Sequence, residues 1–222
     1  MKTNTMLWLF PVLLLLAAPP ARAQEEKEGV VQCANLIFGG THTSRCFSDE
    51  FLGLAQRETG IPVARRFTSV KLDSEELFTF PFVMMTGERN FHFTRAERDN
   101  LRRYLDRGGF LLASAGCSSR EFTEAFTREI HALFDDDTRL TPLDMDHPIW
   151  RTVYDIEKVE LARPGGEVRI SGLERNGKLV VVFSPEGLND SSKVDGCCCC
   201  GGNEIRNASQ IVVNTLVYSL LY

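Results

Sequence analysis

The sequence lacks the patterns that mark several large classes of protein. It has no phosphate-binding loop with its lysine, no dinucleotide-binding glycine pattern, no serine triad and no internal repeat. Basic residues are not in excess either. Once residues 1–23 are removed, 23 basic and 30 acidic side chains remain, a net charge of −7. A mildly acidic chain of this kind does not favour nucleic acid as its main partner.

Long apolar runs are also scarce, and the longest lies at the N-terminus. Residues 6–18 form an apolar run of about 13 residues, which is too short to span a bilayer comfortably as a helix. Lys2 precedes it, and Ala21-Arg22-Ala23 provides a small-x-small cleavage site. No twin-arginine pair precedes the run and no cysteine follows the site, so neither folded export nor lipid attachment is indicated. We expect a signal peptide, residues 1–23, cleaved after Ala23, and a periplasmic or secreted protein without a membrane anchor.

The mature chain is long enough for one α/β domain, residues 30–222, after a short charged lead-in at residues 24–29 that we expect to be disordered. Apolar runs at residues 82–85 and 110–113 are typical of strands buried on both faces of a parallel sheet. Helical patterns separate them, and Thr94 with Glu97 predicts a capping box. Asn176-Gly177 predicts a β-hairpin. The predicted fold class is therefore α/β, a doubly wound, mainly parallel sheet with a C-terminal antiparallel hairpin.

Some further elements are predicted from shorter patterns. Strands are expected at residues 63–70 and 153–161, and a final helix from Asn203. In a sheet of this kind ligands bind beyond the carboxyl ends of the strands. Three loops meet this condition: residues 42–46, 86–92 and 114–119. The final helix would bring the segment before it to the same edge.

That segment contains four of the seven cysteines in one unbroken row, the cysteine run Cys197, Cys198, Cys199 and Cys200. Glycines flank the run, so the backbone can bend there, and packing alone does not call for four adjacent thiols. Consecutive side chains alternate in direction, so two of them with ligands from other loops can meet on one ion. We expect the run, with Cys46, Cys117 and His42, to bind a thiophilic metal, zinc or copper. Export in an unfolded state disfavours a preassembled iron–sulfur cluster.

Two alternatives remain open from the residues alone. In the first, disulfides stabilise a module that binds an unknown protein partner, although the chain's seven cysteines are an odd number and leave at least one thiol over. In the second, Cys117 is the nucleophile of a hydrolase or amidase, since it lies between a predicted strand and a predicted helix. That chemistry needs a base, and His147 and His92 are the candidates.

Four stretches of the mature chain resemble a bacterial family catalogued as domain of unknown function 4159. They are Phe-Pro-Phe-Val-Met-Met-Thr-Gly at 80–87, Leu-Arg-Arg-Tyr-Leu-Asp-Arg-Gly-Gly-Phe-Leu at 101–111, Asp-His-Pro-Ile at 146–149 and Asn-Thr-Leu-Val-Tyr at 214–218. The resemblance implies a flavodoxin-like fold similar to that of class I glutamine amidotransferases, and it brings no established activity. Many members have acidic residues where this chain has Ser114 and Ala115, and the cysteine run is an addition. The leading hypothesis is a metal-binding domain with a structural or sensing role, without turnover.

Overall fold

The structure, a computed structural model, describes residues 29–40, 42–44, 47–134, 137–162, 168, 170–188 and 205–222. The predicted signal peptide lies outside the described residues, and so does the lead-in except for Gly29. Cys46 and the cysteine run also lie outside them.

The described residues form eight strands and four α-helices. The strands are β1 (Cys33–Phe38), β2 (His42–Thr43), β3 (Thr68–Lys71), β4 (Phe82–Gly87), β5 (Phe110–Ala115), β6 (Thr141–Pro142), β7 (Ser171–Arg175) and β8 (Lys178–Ser184). The helices are α1 (Glu50–Thr59), α2 (Arg95–Asp106), α3 (Arg120–His131) and α4 (Ala208–Leu221), with short 3-10 turns at Glu75–Thr79 and Pro148–Arg151. Within this part of the chain, no helix combines the length and the hydrophobicity needed to cross a bilayer.

All eight strands join one mixed sheet. Its order is β2-β1-β4-β5-β8-β7-β6, and β3 also pairs with β1. The pairs β3–β1, β1–β4, β4–β5 and β5–β8 are parallel, whereas β2, β6 and β7 are antiparallel to their neighbours. The prediction of an α/β fold with a mostly parallel sheet is confirmed at this level, and the hairpin at Asn176-Gly177 joins β7 to β8 as expected.

Helices cover both faces of the sheet, which explains why the central strands are apolar at successive positions. Phe82 and Met84 of β4 pack with α1 and α4, while Val83 and Met85 pack with α2 and α3. All four side chains are 0 % exposed. Side chains alternate between the faces of a strand, so a strand in the middle layer needs apolar residues at every position.

The local predictions succeed where one short motif decides the structure. Thr94 caps α2, and its side chain and that of Glu97 form the reciprocal capping box. The strand predicted at residues 153–161 is wrong. Asn214 Oδ1 of α4 accepts hydrogen bonds from the backbone N–H groups of Val153 and Tyr154 at 3.1 and 2.8 Å. A helix side chain thus provides the hydrogen bonds that a neighbouring strand would otherwise provide. The strand predicted at residues 63–70 is confined to Thr68–Lys71.

Candidate functional site

A cavity of about 200 Å³ opens at the carboxyl edge of the sheet, where all three predicted loops contribute to its wall. His42 and Thr43 come from β2, after β1, and Gly116 follows β5. The loop after β4 supplies Glu88 and Arg89. A larger cavity of about 460 Å³ lies near the start of β1, around Val30 and Pro62, at the opposite edge from the three loops. The site therefore lies at the edge where parallel α/β sheets bind their ligands.

The strand β2 closes one side of the cavity because Ser44 ties it to two other strands. The Ser44 N–H and hydroxyl both donate to the Leu36 carbonyl of β1, at 3.2 and 3.0 Å. The same hydroxyl accepts the Thr86 N–H of β4 at 3.1 Å. The buried Glu97 adds a second tie, since Oε1 accepts the Gly40 N–H at 3.4 Å while Oε2 completes the cap of α2. These bonds fix the turn that carries His42.

Cys117 occupies a sharp turn between β5 and α3. Its φ is 51° and that of Ser118 is 53°, so two successive residues other than glycine adopt the left-handed conformation. Such residues are strained and cluster at functional sites. The Cys117 thiol is 3.5 Å from Glu88 Oε1, to which it can donate. Ser119 then caps α3 by accepting the Phe122 N–H. The predicted strand–Cys117–helix order is thus present, with the backbone geometry of a strand-to-helix elbow.

The two ends of the segment that carries the cysteine run lie at this elbow. The Leu188 N–H donates to Ser114 Oγ at the end of β5, at 2.7 Å. Ser118 Oγ donates to the Glu186 carbonyl at 2.8 Å. Where the chain returns, the Ile205 N–H donates to the Gly187 carbonyl at 3.2 Å. Both ends of residues 189–204 are therefore attached beside Cys117.

His92 belongs to a charged network between the loop after β4 and α3. Its Nδ1 is 2.9 Å from Oε1 of Glu129, whose side chain is only 2 % exposed. Oε2 of Glu129 accepts Arg98 Nη2 at 2.7 Å and the Phe93 N–H at 3.2 Å. Burial alone would raise the pKa of Glu129, but the hydrogen bonds from Arg98, Phe93 and His92 outweigh it and the pKa is lowered. A charged carboxylate thus orients the His92 ring.

His147 lies at the opposite edge of the sheet. Its Nδ1 accepts the Ile149 N–H at 3.2 Å, and its ring packs on Tyr218, which in turn packs on Phe110 at the start of β5. Cys117 follows the other end of β5, and the length of that strand is roughly 17 Å at about 3.3 Å per residue. Burial lowers the pKa of His147, against smaller opposing effects of Glu174 and Asp146. The structure does not bring this histidine together with Cys117.

Cys33 contrasts with Cys117 in its surroundings. It lies at the start of β1, is 0 % exposed, and burial raises its pKa to about 12. Among the described residues, no three histidine, cysteine, aspartate or glutamate side chains are grouped closely enough to hold a metal ion. Any metal centre in this chain must therefore include residues of the undescribed segments, where Cys46 and the cysteine run are found.

Sequence reasoning missed three charged residues of this edge: Glu88, Arg89 and Glu129. Glu88 and Arg89 lie in a loop that was singled out, directly after a buried strand. Glu129 had a clearer signal. It recurs with Phe122, Ala125 and Phe126 on the apolar stripe of α3, and a carboxylate in such a stripe requires a buried partner.

The comparisons with known proteins agree with the resemblance described above. Among curated proteins, none matches the chain. One family model matches residues 40–220, which run from just before β2 into α4 and include every residue that lines the cavity except Phe38. The chain belongs to the family described as domain of unknown function DUF4159.

Proposed function

We propose that the chain is an exported domain that binds a thiophilic metal ion, zinc or copper, through the cysteine run and Cys117, in a structural or sensing role. We further propose that its fold is flavodoxin-like, as in class I glutamine amidotransferases. The parallel strand order β3-β1-β4-β5-β8 supports this classification. Cys46 and His42 are the further candidate ligands.

One observation carries the metal proposal. The residues on either side of the segment 189–204 are both hydrogen-bonded near Cys117. Leu188 donates to Ser114 and Ile205 donates to Gly187, while Ser118 donates to the Glu186 carbonyl. Cys117 lies between these two serines in sequence, so the segment with four thiols begins and ends beside a fifth. Thiolates brought together from two chain segments are the ligand set that zinc and Cu(I) prefer.

The experiment measures metal and thiols in protein purified from the periplasm without a histidine tag. We expect about one zinc or copper ion per chain and reduced thiols, since metal binding requires thiolates. Cys117→Ser should weaken metal affinity by at least about tenfold. Cys33→Ala is the matched control, because this buried thiol lies at the start of β1, at the edge of the sheet opposite to Cys117. The variant should retain the metal. Less than about 0.1 ion per chain, with oxidised thiols, would replace the proposal with the disulfide alternative.

A second candidate, a hydrolase or amidase with Cys117 as nucleophile, is favoured by a different observation. The left-handed backbone at Cys117 and Ser118 places the thiol at the start of α3, beside Glu88 and the cavity. Incubation with p-nitrophenyl acetate tests this function by peptide mass mapping. An acetyl adduct on Cys117, or release of p-nitrophenolate, that is lost in Cys117→Ala and retained in Cys33→Ala would support it. An unmodified Cys117 together with p-nitrophenolate release no faster than that of Cys117→Ala would exclude Cys117 as the reactive thiol toward esters.

A further inference from the structure

The cavity at the carboxyl edge lies at the topological switch point of the sheet. From β1 the chain passes through α1 to β3 on one side, and then crosses to β4 on the other side of β1. The walls of the cavity come from the residues after β1 and after β4, with Gly116 after β5. Crevices at such points are the usual ligand sites of open α/β sheets.

We propose that this cavity binds a small organic anion that carries a carboxylate or phosphate group at one end and a hydroxyl group at the other. The proposal goes beyond the metal site: of the candidate metal ligands that the structure describes, His42 lines the cavity and Cys117 does not. It rests on the charges, the hydrogen-bonding groups and the size of the cavity.

Arg89 supplies the positive end. Arg89 lines the cavity and is exposed, and among the described residues no carboxylate lies within ion-pair distance of its guanidinium group. Other arginines near this edge and on α2 are paired: Arg98 and Arg128 contact Glu129, and Arg103 contacts Glu75. A guanidinium group without a carboxylate partner, on a residue that lines a cavity, can bind the oxygens of a carboxylate or phosphate.

Glu88 and Thr43 supply the other end. Glu88 Oε1 is near the Cys117 thiol, and its carboxylate has a second oxygen that can accept a hydrogen bond from a ligand hydroxyl. The Thr43 hydroxyl and the His42 ring line the same wall. Because a carboxylate faces the cavity, a purely anionic ligand would be repelled at this end, and a donor group is required.

The floor and the size set the remaining limits. The rings of Phe38 and Phe122 lie at the apolar base and pack edge to face at 6.4 Å. Two glycines keep the space open. A Cβ at Gly87 would lie 2.8 Å from the Phe122 ring, and one at Gly116 would lie 2.9 Å from Glu88 Cγ. A volume of about 200 Å³ equals that of roughly seven liquid water molecules, which suits a ligand of three to four carbons.

Three probes with the same three-carbon backbone test the proposal by calorimetric titration of the full chain in excess chelator: D-glycerate, glycerol 3-phosphate and glycerol. We expect saturable binding of at least one anion and none of glycerol. Binding of glycerate alone assigns a carboxylate, and binding of glycerol 3-phosphate alone assigns a phosphate. The chelator separates this test from the metal proposal, which can fail without affecting it.

Arg89→Gln should weaken anion binding at least about tenfold, because the charge-assisted bond is lost. Arg95→Gln is the matched control, since Arg95 is 96 % exposed and pairs only with Asp99 on α2. It should bind as the unsubstituted chain does. Both side chains are exposed, and circular dichroism checks that the variants fold. The proposal is overturned if neither anion binds, or if Arg89→Gln binds the anion as tightly as Arg95→Gln does.

Discussion

The two edges of the sheet are built differently. At the amino edge, Tyr104 is 2 % exposed, donates to the Phe80 carbonyl at 2.9 Å and accepts the Phe110 N–H at 3.1 Å. It thus joins the starts of β4 and β5. The left-handed residue other than glycine at this edge, Asn176, lies in the β7–β8 turn, where asparagine readily adopts that conformation. At the carboxyl edge, Cys117 and Ser118 are left-handed and charged side chains surround a cavity. Backbone strain reduces stability, and it typically occurs at functional sites, so the strained residues at the carboxyl edge point to that edge as the functional one.

The largest difference between the edges should appear in thiol reactivity. Cys33 is buried at the amino edge with a pKa of about 12, so it should react only when the domain unfolds. We expect maleimide labelling of Cys33 in the reduced native protein to be at least about 10³-fold slower than in guanidinium, given ordinary domain stability. Peptide mass mapping follows the labelled site. Equal rates in both solutions would show that the amino edge opens locally.

Packing at the amino edge is tested by Gly109→Ala. A Cβ at this position would lie 2.3 Å from the Tyr104 ring, which cannot move without losing its hydrogen bonds. We expect a loss of about 3 kcal/mol in the free energy of unfolding, measured by denaturant titration. Gly53→Ala in α1 is the control, because its Cβ would meet only the end of Arg57 at 3.7 Å, and it should stabilise by about 0.5 to 1 kcal/mol. Similar losses in both variants would remove the packing argument.

At the carboxyl edge we expect the largest contribution to the free energy of unfolding from the hydrogen bonds of Glu129. Glu129→Gln keeps the shape but removes the charge that accepts from Arg98 and His92, and we expect a loss of about 2 kcal/mol at pH 7. The folded-state pKa of Glu129 is lowered, so its stabilisation is complete above the unfolded pKa of about 4.3 and is lost as the pH falls through the folded value.

The pH dependence provides the measurement. The difference in unfolding free energy between the unsubstituted chain and Glu129→Gln should be full at pH 7 and should shrink toward pH 3. Glu124→Gln on the same helix removes an exposed partner of Arg120 and should have no measurable effect at either pH. A difference of the same size at both pH values would mean that packing, and not charge, accounts for the loss.

These edges also differ in how far the sequence predicts them. The buried strands at 82–85 and 110–113, the capping box and the hairpin follow from local periodicity and short motifs, which act within a few residues. The contact between His92 and Glu129 joins positions 37 residues apart and depends on how α3 docks on the loop after β4. No local pattern specifies such a pairing. The strand predicted at 153–161 failed for the same reason, since Asn214 satisfies that backbone from 61 residues away.

The smallest effect concerns the strained elbow itself. Glycine adopts a φ of 51° without a steric penalty and alanine does not, so Cys117→Gly should be about 1 kcal/mol more stable than Cys117→Ala. Comparing these two variants cancels the loss of the thiol and its contact with Glu88. The control is Ala115, where φ is −73°: Ala115→Gly should be less stable than the unsubstituted chain. Denaturant titrations of all three give the sign of each change. If glycine is no better than alanine at position 117, the elbow stores no strain, and the contrast between the edges reduces to their charges and the cavity.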